Sequence, residues 1–186
     1  CFTVSNFVLV HGAWQSGWVW HRVMEQMEAA GDSQGVSRVL APDLPGHGSR
    51  SADEIRRITV EHYVNSVVTE AQVERLEDIV LVGHGFAATF LPRVALELGD
   101  RVKRVVFIAG DLPPEGRSVY ARLSPWDKMM LRVFKAEEKG FRFPDFISRR
   151  ILAHGLDTGS RDQFLARMVP EPFLPWQTPV TRQGFD

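Results

Sequence analysis

The sequence contains very little cysteine. Cys1 is the only one among 186 residues, so no disulfide can form within the chain and no thiolate metal cluster can be assembled. This composition favours a reducing, cytoplasmic compartment. We expect neither a metal nor another cofactor.

The chain also lacks an excess of charge and long apolar runs. Lys and Arg number 22 against 23 Asp and Glu, which gives a formal net charge of -1 and no basic surface for nucleic acid. The longest apolar runs, at residues 7–10 and 105–109, are far shorter than the ~18 residues of a membrane span. No signal peptide is expected, and the partner should be a small molecule rather than a nucleic acid or a membrane.

Short apolar runs bounded by turn residues recur along the first part of the chain. They lie at residues 6–10, 38–42, 78–82 and 102–109, and helical apolar spacing at residues 20–27 and 60–71 separates them. This alternation predicts an α/β architecture, a mostly parallel sheet flanked by helices with ligands at the carboxyl ends of the strands. Residues 117–186 are helical and aromatic in pattern. There we predict a helix over 144–153 with Pro144 in its first turn, and another helix whose start is marked by a Ser160–Gln163 capping box.

Three loops follow the first three predicted strands. Their sequences are HGAWQSGWVW from His11, LAPDLPGHG ending at Gly48, and VLVGHGFAA around Gly85. In order and position they resemble the α/β-hydrolase fold, and more narrowly the group of methylesterases, hydroxynitrile lyases and related esterases, over about residues 6–116. The resemblance implies a hydrolase core in residues 1–116 and a helical lid in residues 117–186. It also implies that the last strands of the fold are absent from this sequence.

In that family the third loop is a sharp strand-to-helix turn, G-x-S-x-G, that carries the nucleophilic serine. Here the serine position is Gly85, which has no side chain with which to attack a carbonyl. The resemblance further implies an oxyanion hole made by the backbone N–H groups of Ala13 and Phe86, and neither group depends on its own side chain. We therefore expect an esterase-like hydrolase for a small or aromatic carboxylic ester, inactive or nearly so in this form.

The other members of a catalytic triad are not evident. None of the six histidines matches the family's catalytic histidine, and Asp111, which follows the fourth predicted strand, is either the triad acid or a turn residue. The residues expected to contact substrate are His11, Gly12, Trp14, His84 and Trp126.

The sequence leaves other interpretations open. A non-catalytic or lyase-type member of the fold could bind a ligand in the same pocket. Gly83-x-Gly85-x-x-Ala88 also matches a dinucleotide-binding fingerprint, although the ribose-binding acid is expected ~20 residues on and Asp111 comes later. Natural loss and deliberate replacement of a serine at position 85 are equally compatible with the sequence, and the oligomeric state is not specified.

Overall fold

The computed structural model describes residues 4–51, 54–110 and 112–185. Within them, strands β1 (Ser5–Val10), β2 (Val36–Leu40), β3 (Ile79–His84) and β4 (Val102–Ile108) form one sheet in the order β2-β1-β3-β4. All three pairings are parallel, which confirms the predicted α/β architecture. Parallel strands place their carboxyl ends at one edge of the sheet, so the loops after β1, β2 and β3 converge there.

Helices connect the strands and then continue beyond them. The nine α-helices in the described residues are α1 (His21–Ala30), α2 (Val60–Val73), α3 (Leu91–Leu98), α4 (Val119–Arg122), α5 (Pro125–Val133), α6 (Ala136–Lys139), α7 (Asp145–Ile151), α8 (Thr158–Arg167) and α9 (Leu174–Gln177). We call the part of the chain from α4 to α9, residues 119–177, the helical segment. Across the described ranges no helix combines the length and apolar character required to cross a lipid bilayer.

The sheet is covered on both faces because successive strand residues point to opposite sides. Val8 and Leu81 face α2 and α3, where Tyr63 and Val67 are wholly buried. Leu9 and its neighbours of the same face pack instead with the α1 side of the sheet. Each fully buried aliphatic side chain contributes roughly 1.5–3 kcal/mol, so this two-sided core holds the sheet edge with its loops in place.

Two predicted helix starts differ from the structure. Pro144 is the residue that caps α7 and not part of its first turn, a one-residue difference. The Ser160–Gln163 capping box is wrong, because α8 already begins at Thr158 and the carboxylate of Asp157 accepts the hydrogen bond from Ser160 N. An aspartate at this position satisfies an otherwise unpaired amide as well as a serine does, and it lies three residues earlier in the chain.

Candidate active site

The turn after β3 brings Gly85 to the sheet edge in a left-handed conformation. His84 is still extended, whereas Gly85 has φ +55° and begins a short 3-10 turn over Gly85–Thr89. A Cβ atom added at position 85 would have Gly12 Cα as its nearest neighbour, at 3.9 Å. The turn therefore has room for a side chain that this sequence does not supply.

A cavity of about 400 Å³ opens over this turn. Its walls come from the loop after β1, the turn after β3, the end of β4 and the helical segment. The lining residues are Gly12, Ala13, Trp14, Gln15, His84, Gly85, Phe86, Thr89, Ala109, Val119, Ile151, Leu152 and Trp176. The cavity thus has an aliphatic and aromatic lining above a floor made of backbone.

Hydrogen bonds to the Gly12 carbonyl oxygen fix the peptide between Gly12 and Ala13. The Gly12 carbonyl oxygen lies 2.9 Å from His11 Nδ1 and also accepts a hydrogen bond from Gln15 N at 3.4 Å. Because C=O and N–H point in opposite directions across a trans peptide, the Ala13 N–H is directed away from the buried His11 ring. No described residue accepts a hydrogen bond from Ala13 N.

The second expected donor is Phe86 N, at the start of the 3-10 turn. The first N–H groups of a helical turn have no acceptor within that turn, so this amide remains available to a ligand. Phe86 and Ala13 line the same cavity. Two free backbone donors at one cavity are what binding of a carbonyl or carboxylate oxygen requires.

His11 is wholly buried, and its ring nitrogens form hydrogen bonds with backbone groups rather than facing the cavity. Its Nε2 accepts a hydrogen bond from Leu44 N at 3.1 Å, so Nδ1 carries the proton and donates to Gly12 O. Burial, reinforced by the neighbouring His47, lowers the pKa of His11 to about 3. His11 is therefore neutral at ordinary pH and joins the first two loops.

Asp43 makes a second connection between these loops. Its Oδ1 accepts from Gly17 N at 2.7 Å, and its Oδ2 accepts from both the amide and the hydroxyl of Ser49 at 2.8 Å. Burial raises the pKa of Asp43, but the hydrogen bonds from Ser49 and Gly17 outweigh it and leave the pKa below its ordinary value. Asp43 thus acts as a charged cap that ties the loop after β2 to the loop after β1.

Glu171 belongs to the helical segment and lies beneath the same loops, with 1% of its surface exposed. Its Oε2 accepts from Trp14 N at 3.0 Å and lies 2.8 Å from His47 Nε2, and its Oε1 accepts from the Tyr63 hydroxyl at 3.0 Å. Burial disfavours both charges, yet their mutual attraction and hydrogen bond lower the pKa of Glu171 and raise that of His47. The two form a buried ion pair.

Aromatic side chains cover the cavity. The Trp176 ring stacks on Phe86 with ring centroids 5.2 Å apart and an interplanar angle of 3°. Trp14 contacts Trp176, Phe141 and Phe143. The helical segment therefore packs directly on Phe86, which carries one expected oxyanion donor, and on Trp14, which follows the other donor residue, Ala13.

The structure brings most of the predicted site residues together. Those that line the cavity are Gly12, Ala13, Trp14, His84, Gly85 and Phe86. His11 does not line it, because both of its ring nitrogens are bonded to backbone groups. Trp126 does not line it either, since it lies in the first turn of α5 with 65% of its surface exposed. Asp111 lies outside the described residues.

Three residues at the site were not predicted to have a role there. Gln15 Oε1 lies 3.2 Å from His84 Nδ1 and accepts weakly from Gly12 N, which joins the first and third loops. The Thr89 hydroxyl donates to Phe86 O at 2.8 Å. Glu171 could have been suspected from a single sequence signal, an acid between two prolines in an otherwise apolar stretch.

A larger cavity of about 650 Å³ lies elsewhere, between the loop after β2 and α2. Arg50, Glu54, Arg57 and Glu70 are among the charged side chains that line it. It contains neither Gly85 nor the free amides, so its size does not make it the better candidate.

Comparison with known proteins agrees with this geometry. Residues 7–185 match the alpha/beta hydrolase family. A carbendazim-hydrolysing esterase of Nocardioides is 32% identical over 120 residues, which are 64% of this chain and 48% of that protein. Methylesterase 2 of Arabidopsis thaliana is 33% identical over 111 residues, 59% of this chain and 40% of that protein. The chain spans less than half the length of these curated relatives.

Among solved structures, an extracellular α/β-hydrolase from a Paenibacillus species superposes with a TM-score of 0.83. It is 24% identical, and the match covers 97% of this chain and 72% of that one. A methylesterase from Arabidopsis gives a TM-score of 0.73 at 17% identity, covering 95% and 70% of the two chains. At these identities the likeness establishes the fold, and the family match covers almost the whole chain: the protein belongs to the alpha/beta hydrolase family.

Proposed function

We propose that this chain holds the ester-binding site of an esterase-like hydrolase and that Gly85 leaves this form inactive, or nearly so, in nucleophilic turnover. One observation supports both parts. Gly85 lies at φ +55° on the strand-to-helix turn, with free backbone amides in the same cavity and open space where a nucleophile would stand. Binding uses the backbone, which is intact, whereas attack needs a side chain that is absent.

Among the described residues, no group near Gly85 replaces the missing nucleophile. The Thr89 hydroxyl is engaged with Phe86 O. His11 and His47 are committed to the backbone and to Glu171. Of the described histidines only His84 lines the cavity, where burial lowers its pKa and Gln15 contacts its Nδ1.

The lining of the cavity indicates the substrate class. Trp176, Phe86 and Leu152 provide apolar contact for an acyl or aromatic group, while the backbone N–H groups of Ala13 and Phe86 donate hydrogen bonds to one substrate oxygen. A volume of about 400 Å³ suits a small or aromatic carboxylic ester, and the helical segment acts as its lid. Two related proteins are named as esterases, which supports an ester as the substrate. The partner is then a small molecule and not a nucleic acid or a membrane, and the single cysteine supports a cytoplasmic location.

The dinucleotide interpretation has less support. A Cβ atom at Gly83 would lie 2.8 Å from Leu91 Cδ2, so this glycine permits close packing of α3 against β3. The residues after it form a 3-10 turn whose Phe86 ring stacks under Trp176. A non-catalytic or lyase-type ligand-binding role at the same cavity stays open, because the bare turn at Gly85 favours binding over hydrolysis.

Two assays on the purified chain test the proposal. Hydrolysis of p-nitrophenyl acetate should show no burst and no rate above that of buffer. Titration calorimetry should detect benzoate binding, and Val119→Trp, which fills the cavity, should abolish it. Val133→Trp, the same change on the exposed face of α5, is the matched control and should bind like the parent protein. A burst of nitrophenol, or equal binding by both variants, would contradict the proposal.

A further inference from the structure

Trp14, the residue after the expected donor Ala13, has an unusual backbone conformation. Its φ is +63°, in the left-handed region that a bulky side chain rarely adopts. Such a conformation costs of order 1–3 kcal/mol and persists only where its surroundings hold it. The contacts that hold Trp14 therefore control the shape of this loop.

Within the described part of the chain, the hydrogen-bond partners of Trp14 all belong to the helical segment. Glu171 Oε2 accepts the Trp14 N–H at 3.0 Å, and Val169 N donates to the Trp14 carbonyl at 3.1 Å. The indole N–H donates to Phe141 O at 2.9 Å. Glu171 and Phe141 are themselves joined by paired backbone hydrogen bonds of 2.8 and 2.9 Å, so these anchors form one unit.

Of the three contacts, only the one to Glu171 is charge-assisted, and such bonds are roughly twice as strong as neutral ones. It fixes the peptide between Ala13 and Trp14, while His11 and Gln15 fix the preceding peptide through Gly12 O. Two consecutive peptide planes are thereby set, and Ala13 between them has no freedom to turn its N–H from the cavity.

We propose that Glu171 is a positioning residue, which transmits the docking of the helical segment to the Ala13 amide that binds the ligand oxygen. This inference rests on the proposed function, since it assigns Glu171 a role in that same oxyanion-binding site. Glu171 does not line the cavity and acts only through Trp14.

Electrostatics alone and positioning predict different results for this residue. Removal of the Glu171 carboxylate leaves its partner His47 either protonated, which makes the surroundings more positive, or neutral, which leaves the net charge unchanged. Charge alone would therefore strengthen anion binding or leave it unchanged. If Glu171 positions the amide, its removal weakens anion binding. A loss of affinity therefore separates the two explanations.

The experiment measures the affinity of benzoate relative to benzamide, a neutral probe of the same shape, by calorimetry. Glu171→Met keeps the volume but removes the acceptor, and we expect the benzoate-to-benzamide ratio to fall at least fivefold. Glu171→Gln is the conservative rescue, because its amide oxygen can accept from Trp14 while its NH₂ group faces the Tyr63 oxygen. Its ratio should stay within about twofold of the parent value.

Tyr63→Phe is the matched control within the same buried network. It removes the partner of Oε1 and leaves the Oε2 contact to Trp14, so it should lower thermal stability without changing the ratio. If Glu171→Met does not fold, Glu171→Asp provides a second variant that keeps the charge and withdraws the carboxylate by one methylene. It should lower the ratio at least twofold.

The outcomes separate the two proposals. A parent protein that binds benzoate no better than benzamide overturns the proposed oxyanion site. The other outcomes concern a parent protein that clearly prefers benzoate. If Glu171→Met, or Glu171→Asp in its place, keeps that preference, the role of Glu171 alone is overturned. The same holds if Tyr63→Phe loses the preference to the same extent as the Glu171 variant.

Discussion

Replacement of Gly85 by serine should destabilise the protein without activating it. The only atom within 4 Å of an added Cβ is Gly12 Cα, at 3.9 Å, so no steric clash contributes. The cost comes from the backbone at φ +55°, about 1–3 kcal/mol, reduced by about 0.4–1 kcal/mol because serine restricts the unfolded chain. The midpoints of these two ranges leave a net loss of about 1.3 kcal/mol, which lowers the thermal midpoint of a chain this long by roughly 3–5 °C.

Gly85→Ala is the control, since it adds the same strain without a hydroxyl group. Both variants should lose equal stability in thermal unfolding followed by circular dichroism. Both should hydrolyse p-nitrophenyl acetate at the background rate. Of the described histidines only His84 lines the cavity, and there burial lowers its pKa and Gln15 contacts its Nδ1. A serine variant that is more stable than the parent, or that turns over ester well above the alanine variant, would refute this reasoning.

Three further outcomes follow from contacts at the site. The depressed pKa of Glu171 contributes stability that is lost as pH falls below 4.5, the pKa of this group in the unfolded chain. The raised pKa of His47 contributes stability that is lost as pH rises above 6.5, the unfolded value for histidine. The stability difference between the parent and Glu171→Gln in urea unfolding should therefore be largest between those values and shrink on either side; a pH-independent difference would argue against the ion pair. Gly12→Ala places a Cβ 2.8 Å from His84 Nδ1, so it should abolish benzoate binding in calorimetry, whereas unchanged affinity would show that the loop can yield. Asp43→Ala removes one hydrogen bond between loops, from Gly17, and two within the loop after β2, from Ser49. It should cost about 1–3 kcal/mol in urea unfolding, and a loss below 0.5 kcal/mol would contradict its role as a cap.

The sequence predicted the framework because local patterns specify it. Residues 6–10 and 78–82 are apolar runs that end in glycine-containing loops, and they became β1 and β3 within a residue or two. The spacing over residues 60–71 lies wholly inside α2. Gly85 was recognisable because a missing side chain at a motif position is visible in the sequence alone.

The contacts that set the site depend on distant parts of the chain. Glu171 is 157 residues from Trp14 in the sequence. A local hydrophobic pattern does not predict that a carboxylate will be buried against a backbone amide so far away. His11 was expected at the substrate but bonds to Gly12 and Leu44 instead, since the fold places a second loop over its ring. Trp126 was expected in the cavity because it is aromatic. The short helix α5 leaves it exposed, and aromatic composition carries no information about the direction of a side chain.

NMR of two amide protons tests most directly whether Ala13 and Phe86 form the proposed oxyanion-binding site. In a titration of the ¹⁵N-labelled chain with benzoate, the Ala13 and Phe86 amide protons should both move downfield, with one shared dissociation constant. Benzamide should move them less. If only one of the two responds, or if both remain still while benzoate binds elsewhere, the two amides do not form a common site and the central claim is contradicted.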